Sequence, residues 1–153
     1  MFVCSGCSTA NQPVYDVADQ NRTWRHLNFF EYPCYLHSEL PRTKCEKCGK
    51  ILRVNVPWAI NPRHYFTLNF DALVMTMAKD MPMNAIARLL GEHDTRLWRI
   101  LHYYVEQAIE AQDLSHVTKI STDETSSKRG HNYITIFMDA DQKVVICATE
   151  GHV

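Results

Sequence analysis

Two pairs of cysteines carry the clearest chemical signal in this sequence. Cys4 and Cys7 form one Cys-x-x-Cys pair, and Cys45 and Cys48 form a second pair that is followed by Gly49. Each pair offers two thiolates to one ion, and four thiolates complete the tetrahedral shell of a structural zinc site. We therefore predict that Cys4, Cys7, Cys45 and Cys48 bind one Zn²⁺.

Two other roles for these thiols stay open from the sequence alone. A Cys-x-x-Cys pair also occurs in thioredoxin-like redox sites, although no βαβ pattern surrounds either pair here, and unliganded core thiols are a further alternative. Residues 8–44 separate the pairs, which is longer than the common zinc-ribbon spacing, so a small β-subdomain is expected between them. Cys34 and Cys147 stand alone, and we interpret both as small buried core residues.

Positive charge is concentrated in the first part of the chain. Between Arg22 and Arg63 there are eight cationic and three acidic residues, whereas between Phe66 and Leu114 four cationic residues accompany seven acidic ones. Lysine and arginine supply most of the affinity of a protein for nucleic-acid phosphates. We predict phosphate contacts from four residues around the second cysteine pair: Arg42, Lys44, Lys47 and Lys50.

The overall composition is that of a globular chain without a membrane segment. The 153 residues are 46% apolar and carry a formal net charge of -1, so the whole molecule is not a basic nucleic-acid binder. No apolar run approaches the roughly 20 residues that a membrane span needs, and the N-terminus is too short and polar for a signal peptide. We expect a cytoplasmic location, where cysteines stay reduced.

The segment from Met83 to Tyr104 has the residue pattern of a helix-turn-helix. Apolar residues are predicted to give the first helix one face: Ile86, Leu89 and Leu90. Gly91 supplies a turn with positive φ, and Asp94 or Thr95 is predicted to cap the second helix. Apolar residues then recur at helical spacing: Leu97, Ile100, Leu101, Tyr104, Val105, Ala108 and Ile109.

Such a pattern is typical of a second helix that enters a DNA major groove, and it is equally typical of an αα-hairpin that only packs a core. Base-edge contacts are expected from the start of the second helix: Thr95, Arg96 and Arg99. Glu92 and Asp94 lie close to these residues and either oppose tight docking or help to exclude wrong sequences. We interpret Trp58 and Trp98 as core aromatics.

The remaining elements are predicted from hydrophobic period and from turn residues. Three short strands are expected in the first third, at residues 25–30, 34–40 and 51–56. Asn61-Pro62 marks a boundary, and a helix follows at residues 66–79. Three more strands are expected at residues 117–122, 132–138 and 143–149, with a turn at Asp139–Gln142 between the last two.

Further motifs accompany the cysteine pairs and the helix-turn-helix. They are Thr23-Trp24-Arg25-His26-Leu27, residues 41–49, Val56-Pro57-Trp58-Ala59, residues 85–91, Ile120-Ser121-Thr122-Asp123-Glu124 and residues 128–133. With these motifs the chain resembles a family of bacterial insertion-sequence transposases, the ISL-three type, over nearly its whole length. The cysteine and Trp-Arg-His motifs together are specific, whereas the helix-turn-helix is generic.

The resemblance implies a DDE catalytic domain with an RNase H-like fold at the end of the chain. In such a domain three carboxylates bind Mg²⁺ ions, which stabilise the attacking and leaving oxygens of a phosphodiester. Asp123, at the end of the first strand of that domain, matches the first acid, and Glu124 is its neighbour without an assigned metal. The second and third acids of the family lie beyond Val153, so a complete catalytic site is not expected here.

The resulting expectation is an α+β chain in three parts: a zinc-binding domain at 1–62, a helix-turn-helix domain at 63–114, and the first strands of a truncated RNase H-like domain at 115–153. The resemblance implies the DNA-binding N-terminal part of a transposase, with double-stranded DNA of the transposon terminal repeats as its partner in a bacterial cytoplasm. No membrane partner is expected.

Two alternative functions remain. A truncated transposase can act as a non-enzymatic regulator that occupies the terminal repeats or associates with the full-length enzyme. A zinc module that binds other proteins is the second alternative. Because an incomplete sheet leaves an unpaired edge, self-association or partial disorder is predicted after His116.

Overall fold

The computed structural model of the chain describes residues 2–17, 21–61, 64–128 and 132–151. In these residues three helices and three antiparallel sheets form two compact units, Met1–Glu106 and Gln107–Val153, so the α+β class is confirmed. None of the helices in the described ranges is long and apolar enough to cross a membrane. The predicted boundary at residues 62 and 63 lies outside the described residues, as do residues 129–131 of the last motif.

The elements follow one another in an order that separates strands from helices. In chain order they are β1 (Val14–Val17), β2 (Arg22–Arg25), β3 (Tyr35–Ser38), β4 (Pro41–Lys44), β5 (Ile51–Arg53), α1 (Leu68–Met77), α2 (Met83–Leu90), α3 (Asp94–Glu110), β6 (Ile120–Lys128), β7 (Asn132–Asp139) and β8 (Val144–Glu150). We call the described residues between 2 and 61 the zinc module, and residues 64–106 the helical module.

The zinc module contains two small sheets. One has the order β1-β4-β5, and the other pairs β2 with β3 so that Trp24 lies opposite Leu36. The strand predicted at residues 25–30 is wrong in position, because the chain leaves β2 at Arg25 and turns back through a bridge between Phe29 and Tyr32. β1 and β4 were not predicted. Pro41 does not end a strand but begins β4, where a missing N–H is tolerated.

A small aromatic core stabilises the zinc module. Trp24 is fully buried, and its ring packs edge-on against Trp58 with centroids 5.6 Å apart. The other buried members of this cluster are aliphatic: Leu40, Val54, Val56 and Ala59. Because this core is small, a structural metal would add stability where apolar burial is limited.

Local hydrogen bonds and a left-handed glycine mark the start of α1, the end of α2 and the start of α3. The Thr67 hydroxyl accepts a hydrogen bond from the Phe70 N–H at 3.3 Å at the start of α1. Gly91 ends α2 with φ of 65°, as predicted from its type. At the start of α3 the Asp94 carboxylate accepts a hydrogen bond from the Thr95 N–H at 2.7 Å. The first helix and the turn of the helix-turn-helix therefore lie where they were predicted, whereas α3 continues past Tyr104 to Glu110.

The core of the helical module lies between all three helices. Its buried side chains are Phe66, Phe70, Val74, Met83, Ile86, Ala87, Leu97 and Ile100. Two predictions about packing are wrong, because Leu89 is 61% exposed and Trp98 is 42% exposed. The buried face of α2 follows positions 83, 86, 87 and 90, and Leu89 lies beside that face.

The second unit contains the sheet β6-β7-β8, in which each pair is antiparallel. β6 extends to Lys128, so Asp123 lies within the strand opposite Ile136 and not at its end as expected. Cys147 is exposed on β8, so its predicted burial is wrong, and Cys34 in the zinc module is only half-buried. β8 is an edge strand of the described sheet.

Asp139 organises the turn between β7 and β8, as predicted. Its carboxylate accepts hydrogen bonds from the Gln142 N–H at 3.0 Å and from the Asp141 N–H at 2.8 Å. These donors, with the Gln142 N–H as the larger cause, hold the pKa of Asp139 below its usual range. Its charge therefore has a structural role in this hairpin.

Candidate metal centre and nucleic-acid interface

The four predicted cysteine ligands converge at one point in the zinc module. All four sulfur atoms lie within 4.8 Å of one another. Cys4 Sγ lies 3.8 Å from Cys48 Sγ, and Cys7 Sγ lies 3.5 Å from Cys45 Sγ. A Zn–S bond of about 2.3 Å gives a tetrahedron with edges of roughly 3.8 Å. The observed separations therefore fit a single zinc ion with a closed shell of four thiolates.

The two cysteine pairs lie on loops with the same backbone geometry. The Ser8 N–H donates a hydrogen bond to the Cys4 carbonyl at 2.9 Å, and the Gly49 N–H donates to the Cys45 carbonyl at 2.8 Å. Both donors have left-handed backbone angles, with φ of 57° at Ser8 and 68° at Gly49. The position four residues after the first cysteine thus requires a positive φ, which glycine adopts most easily.

This shared geometry predicts opposite effects for two substitutions. Ser8→Gly should stabilise the zinc module by up to about 1 kcal/mol, and Gly49→Ala should destabilise it by about 1 kcal/mol, because only glycine avoids the left-handed penalty. A Cβ at Gly49 would meet no atom within 4 Å, so the effect is conformational and not steric. Urea unfolding of the zinc-loaded protein measures both changes. A change in the free energy of unfolding with the same sign in both variants would contradict the prediction.

Polar contacts favour a thiolate in the first loop. The Thr9 hydroxyl lies 3.2 Å from Cys7 Sγ. Hydrogen bonds from Thr9, its side chain first, lower the pKa of the Cys7 thiol to about 6. The Gly6 N–H also points at Cys4 Sγ at 3.5 Å, and a Cβ at Gly6 would come within 2.7 Å of Leu52 Cδ1. Since thiolates are the form that binds metal, this loop is suited to a cation.

The predicted phosphate contacts differ in how available they are. Lys44, Lys47 and Lys50 are exposed on the second loop and its flanks, and no ion pair engages them within the described residues. Arg42 instead forms an ion pair with Asp16, with Nε 2.7 Å from Oδ1. The Arg42 guanidinium keeps the pKa of Asp16 below its usual range. The charge of Arg42 is thus partly neutralised, which the sequence did not indicate.

The start of α3 presents only some of the predicted base-contacting residues outward. Thr95 and Arg99 are exposed. Arg96 is bonded to the Glu92 carboxylate, and its guanidinium lies 4.7 Å above the Phe66 ring centroid. The side chain of Glu92 is only 4% exposed, so the expectation that it opposes DNA docking is wrong. Its charge is instead bound inside the protein, whereas the Asp94 side chain at the helix start is 46% exposed and its Oδ1 lies 3.0 Å from His93 Nδ1.

Glu92 also contacts a buried arginine that sequence reasoning missed. Arg25 Nε lies 3.6 Å from Glu92 Oε1, and the Arg25 side chain is 1% exposed. The guanidinium also donates to the Cys34 carbonyl at 3.3 Å and to the Asn28 side chain. The Phe70 ring centroid lies 5.1 Å from it. Arg25, on β2, therefore connects the zinc module to the turn of the helix-turn-helix.

Backbone hydrogen bonds strengthen this connection. The Arg25 N–H donates to the Tyr65 carbonyl at 2.8 Å, and the Thr67 N–H donates to the Arg25 carbonyl at 3.0 Å. His26 Nδ1 lies 2.8 Å from the Thr67 hydroxyl, which caps α1. In the Trp-Arg-His motif, Trp24 thus packs the core of the zinc module while Arg25 and His26 bind the helical module. The motif joins both modules into the unit Met1–Glu106.

Comparison with known proteins agrees with this arrangement. Residues 2–48, which include all four clustered cysteines, match the zinc-finger of transposase IS204/IS1001/IS1096/IS1165. Residues 54–105 match the helix-turn-helix domain of transposase family ISL3. No solved structure matches the chain. The two matches are adjacent and together cover most of the unit Met1–Glu106.

Curated relatives match over most of the chain. The chain is 29% identical over 147 residues to the transposase for insertion sequence element IS1557 of Mycobacterium tuberculosis, in two strains, which covers 90% of the chain and 31% of the relative. It is 23% identical over 153 residues to the transposase for insertion sequence element IS1001 of Bordetella parapertussis, which covers 99% of the chain and 36% of the relative. The chain spans about a third of the length of these relatives.

The domain matches confirm the resemblance that the motifs indicated. The zinc-finger match contains the cysteine cluster, and the helix-turn-helix match contains α1, α2 and most of α3. With both domains and with transposase relatives over most of its length, the chain carries the zinc-finger and helix-turn-helix domains of ISL3-type insertion-sequence transposases.

Proposed function

We propose that the unit Met1–Glu106 binds double-stranded DNA at the terminal repeats of an insertion sequence. The observation that supports this most directly is the buried contact between Arg25 and Glu92. It fixes the lysine-bearing loop of the zinc module and the start of α3 within one compact unit. A single duplex can therefore be contacted by both modules at once.

Each module has its own role in this proposal. The exposed ammonium groups of Lys44, Lys47 and Lys50 bind phosphates and supply much of the affinity. Arg42, which is paired with Asp16, contributes less. The first two turns of α3 enter the major groove with Thr95, Arg96 and Arg99.

Zinc has a structural role in the proposal. Four thiolates fill the tetrahedral shell and leave no open position for a substrate or a water molecule. Bound zinc would fix the two cysteine loops against each other, and with them β4, which ends at Lys44 beside the second loop. The position of the phosphate-binding lysines then depends on the metal.

A DDE catalytic site needs three carboxylates, and we assign only one of them in this chain. Asp123, exposed on β6, is proposed as the first acid of a DDE site in an RNase H-like domain. Two Mg²⁺ ions need a set of carboxylate ligands, and we assign one such ligand in this chain. We therefore propose strand transfer only for a catalytic domain that has all three acids. Asp123→Asn should leave DNA binding unchanged.

The phosphate contacts can be tested by salt dependence. Replacing Lys44, Lys47 and Lys50 together by glutamine should reduce the slope of log K against log salt by about 3, because each lost phosphate contact removes about 0.9. Fluorescence anisotropy with a duplex that carries the terminal repeat of an insertion sequence measures this. The charge-matched control replaces Lys79, Lys119 and Lys143, which lie outside the zinc module.

Two outcomes would contradict the proposal. An equal loss of DNA affinity in both triple variants would mean that binding depends only on the net charge of the protein. Binding that does not weaken with salt, or equal affinity for the terminal repeat and a shuffled duplex, would exclude specific recognition of transposon ends and favour a zinc module for protein interaction.

We also propose that the second unit self-associates, or pairs with the corresponding sheet of a full-length transposase. β6 and β8 are the edges of its described sheet, and Val144 and Val145 on β8 are each about half exposed. Val145→Lys should shift the protein toward monomer in sedimentation velocity, because a charge on an edge strand opposes pairing. An unchanged sedimentation coefficient would contradict this.

A further inference from the structure

A cavity of about 240 Å³ opens beside α3, next to the segment that joins the two modules. Its lining residues come from that segment and from α3: Asn61, His64, Tyr65, Phe66, Arg96, Arg99 and Ile100. Phe66 and Ile100 are buried and apolar, whereas the two arginines supply positive charge at its wall. The cavity thus combines an apolar floor with a cationic rim.

The helical spacing explains why both arginines face this cavity. Arg96, Arg99 and the buried Ile100 are separated by three and four residues, so they share one side of α3. Thr95, Trp98 and His102, all three exposed, are also separated by three and four residues and share the neighbouring side of α3, where Thr95 lies about 40° around the helix from Arg99. Arg96 therefore lies beside the buried Ile100, whereas Arg99 lies between Arg96 and Thr95, at the edge of the exposed side of α3.

The two arginines differ in their freedom. Arg96 is fixed by the Glu92 carboxylate and by the Phe66 ring below it. Arg99 is exposed, and within the described residues no hydrogen bond or ion pair engages it. The Arg99 guanidinium keeps its five N–H donors for a ligand, and their fork matches the oxygens of a phosphate.

Hydrogen bonds and a cation–π contact fix the other side of the cavity. The Tyr65 carbonyl accepts the Arg25 N–H, while the Tyr65 ring is exposed with the Arg22 guanidinium 4.5 Å from its centroid. His64 Nε2 lies 2.9 Å from Asp71, whose buried carboxylate also accepts the Tyr104 hydroxyl at 3.2 Å. The negative charge of Asp71 is therefore enclosed and does not face an anion at the rim.

We infer that Arg99 and Tyr65, at the rim of this cavity, bind a backbone phosphate of the DNA strand that borders the groove entered by α3. This inference rests on the proposed function and changes the role of two residues in it. Arg96 and Arg99 set the position of the helix on the backbone, and base edges are left to the outward face with Thr95 and Trp98. Trp98 offers an apolar surface of the kind that contacts a thymine methyl group.

The test separates phosphate contact from base contact. A duplex is first selected from a randomised library with the wild-type chain, and a shuffled version of it serves as the non-specific probe. Arg99→Ala should weaken binding to both duplexes by the same factor, roughly fivefold near physiological salt, and should reduce the salt slope by about 1. Arg99→Lys should retain most of the affinity for both, because lysine also binds phosphate as a point charge.

Further variants complete the design. Tyr65→Ala should weaken binding to both duplexes, and Lys79→Ala, an exposed cation outside the cavity lining, should leave both affinities unchanged. A loss in Arg99→Ala that is confined to the selected duplex, with Arg99→Lys equally impaired, would overturn the inference and make Arg99 a base reader. Unchanged binding in Arg99→Ala or Tyr65→Ala would also overturn it. Failure of the wild-type chain to enrich or bind any duplex would instead remove the proposed function.

Discussion

Cys45→Ser should abolish stoichiometric zinc binding and unfold the zinc module. Cys45 is buried within the cluster of four sulfur atoms, and serine cannot replace a thiolate in the closed shell. For small zinc folds the apparent binding free energy, about 10–16 kcal/mol, is also folding free energy. Metal analysis should fall from about one zinc per chain to none, and amide exchange should show loss of protection in β4 and β5.

The matched controls are Cys34→Ser and Cys147→Ser, which remove thiols outside the cluster. Both variants should keep full zinc content and the protection pattern of the wild-type protein. Zinc retained by Cys45→Ser, or lost equally from Cys34→Ser, would show that the ligand set is wrong.

Arg25→Ala should destabilise the unit Met1–Glu106 by about 3–5 kcal/mol, because removal of one partner leaves the other partner of a buried ion pair uncompensated. The Arg25 side chain is 1% exposed and that of Glu92 is 4% exposed. The substitution also removes the donor to the Cys34 carbonyl. Urea unfolding of the zinc-loaded chain measures the change. Arg42→Ala is the control, since the side chains of its pair with Asp16 are 44% and 35% exposed and the pair should matter far less.

A double variant distinguishes buried charge from lost packing. Arg25→Met combined with Glu92→Met removes both charges, so it should be less destabilised than the sum of the two single variants. Additive losses would show that the two side chains do not interact, and would leave the backbone hydrogen bonds as the connection between the modules.

The zinc cluster and the turn of the helix-turn-helix were predictable because their signals are local. A thiolate pair at fixed spacing and a glycine at a left-handed position act within a few residues of the chain. Gly91 ends α2 as predicted. The four cysteines meet although residues 8–44 separate the pairs, because β1, which follows the first pair, is paired with β4, which precedes the second.

The connection between the modules was not predictable, because the residue types that form it are usually found on the surface. Arginine and glutamate are usually exposed, yet Arg25 and Glu92 are buried by each other, and no local pattern relates β2 to the turn before α3. One signal was present in the sequence. Arg25 follows directly after Trp24, a core residue, within a motif that continues with His26.

The spacing of the apolar residues in α3 partly predicted which side of this helix is buried. The apolar positions Leu97 and Ile100 indicate the buried side, and Arg96 lies beside it, about 40° around the helix from Ile100. Trp98 lies about 100° around the helix from Leu97, which explains its exposure. The prediction that Trp98 is a core residue relied on its aromatic side chain and did not use its position on the helix.

The rigid join at Arg25 also has a consequence for the architecture of the target. If the cysteine loop and α3 contact separate stretches of one duplex, those stretches must keep a constant rotational phase about the DNA axis. Each added base pair turns one stretch relative to the other by about 34°, since a helical turn takes 10–10.5 base pairs. Base changes between the two stretches are then tolerated, whereas insertions and deletions are not. The length of an uncontacted spacer becomes part of the recognised signal.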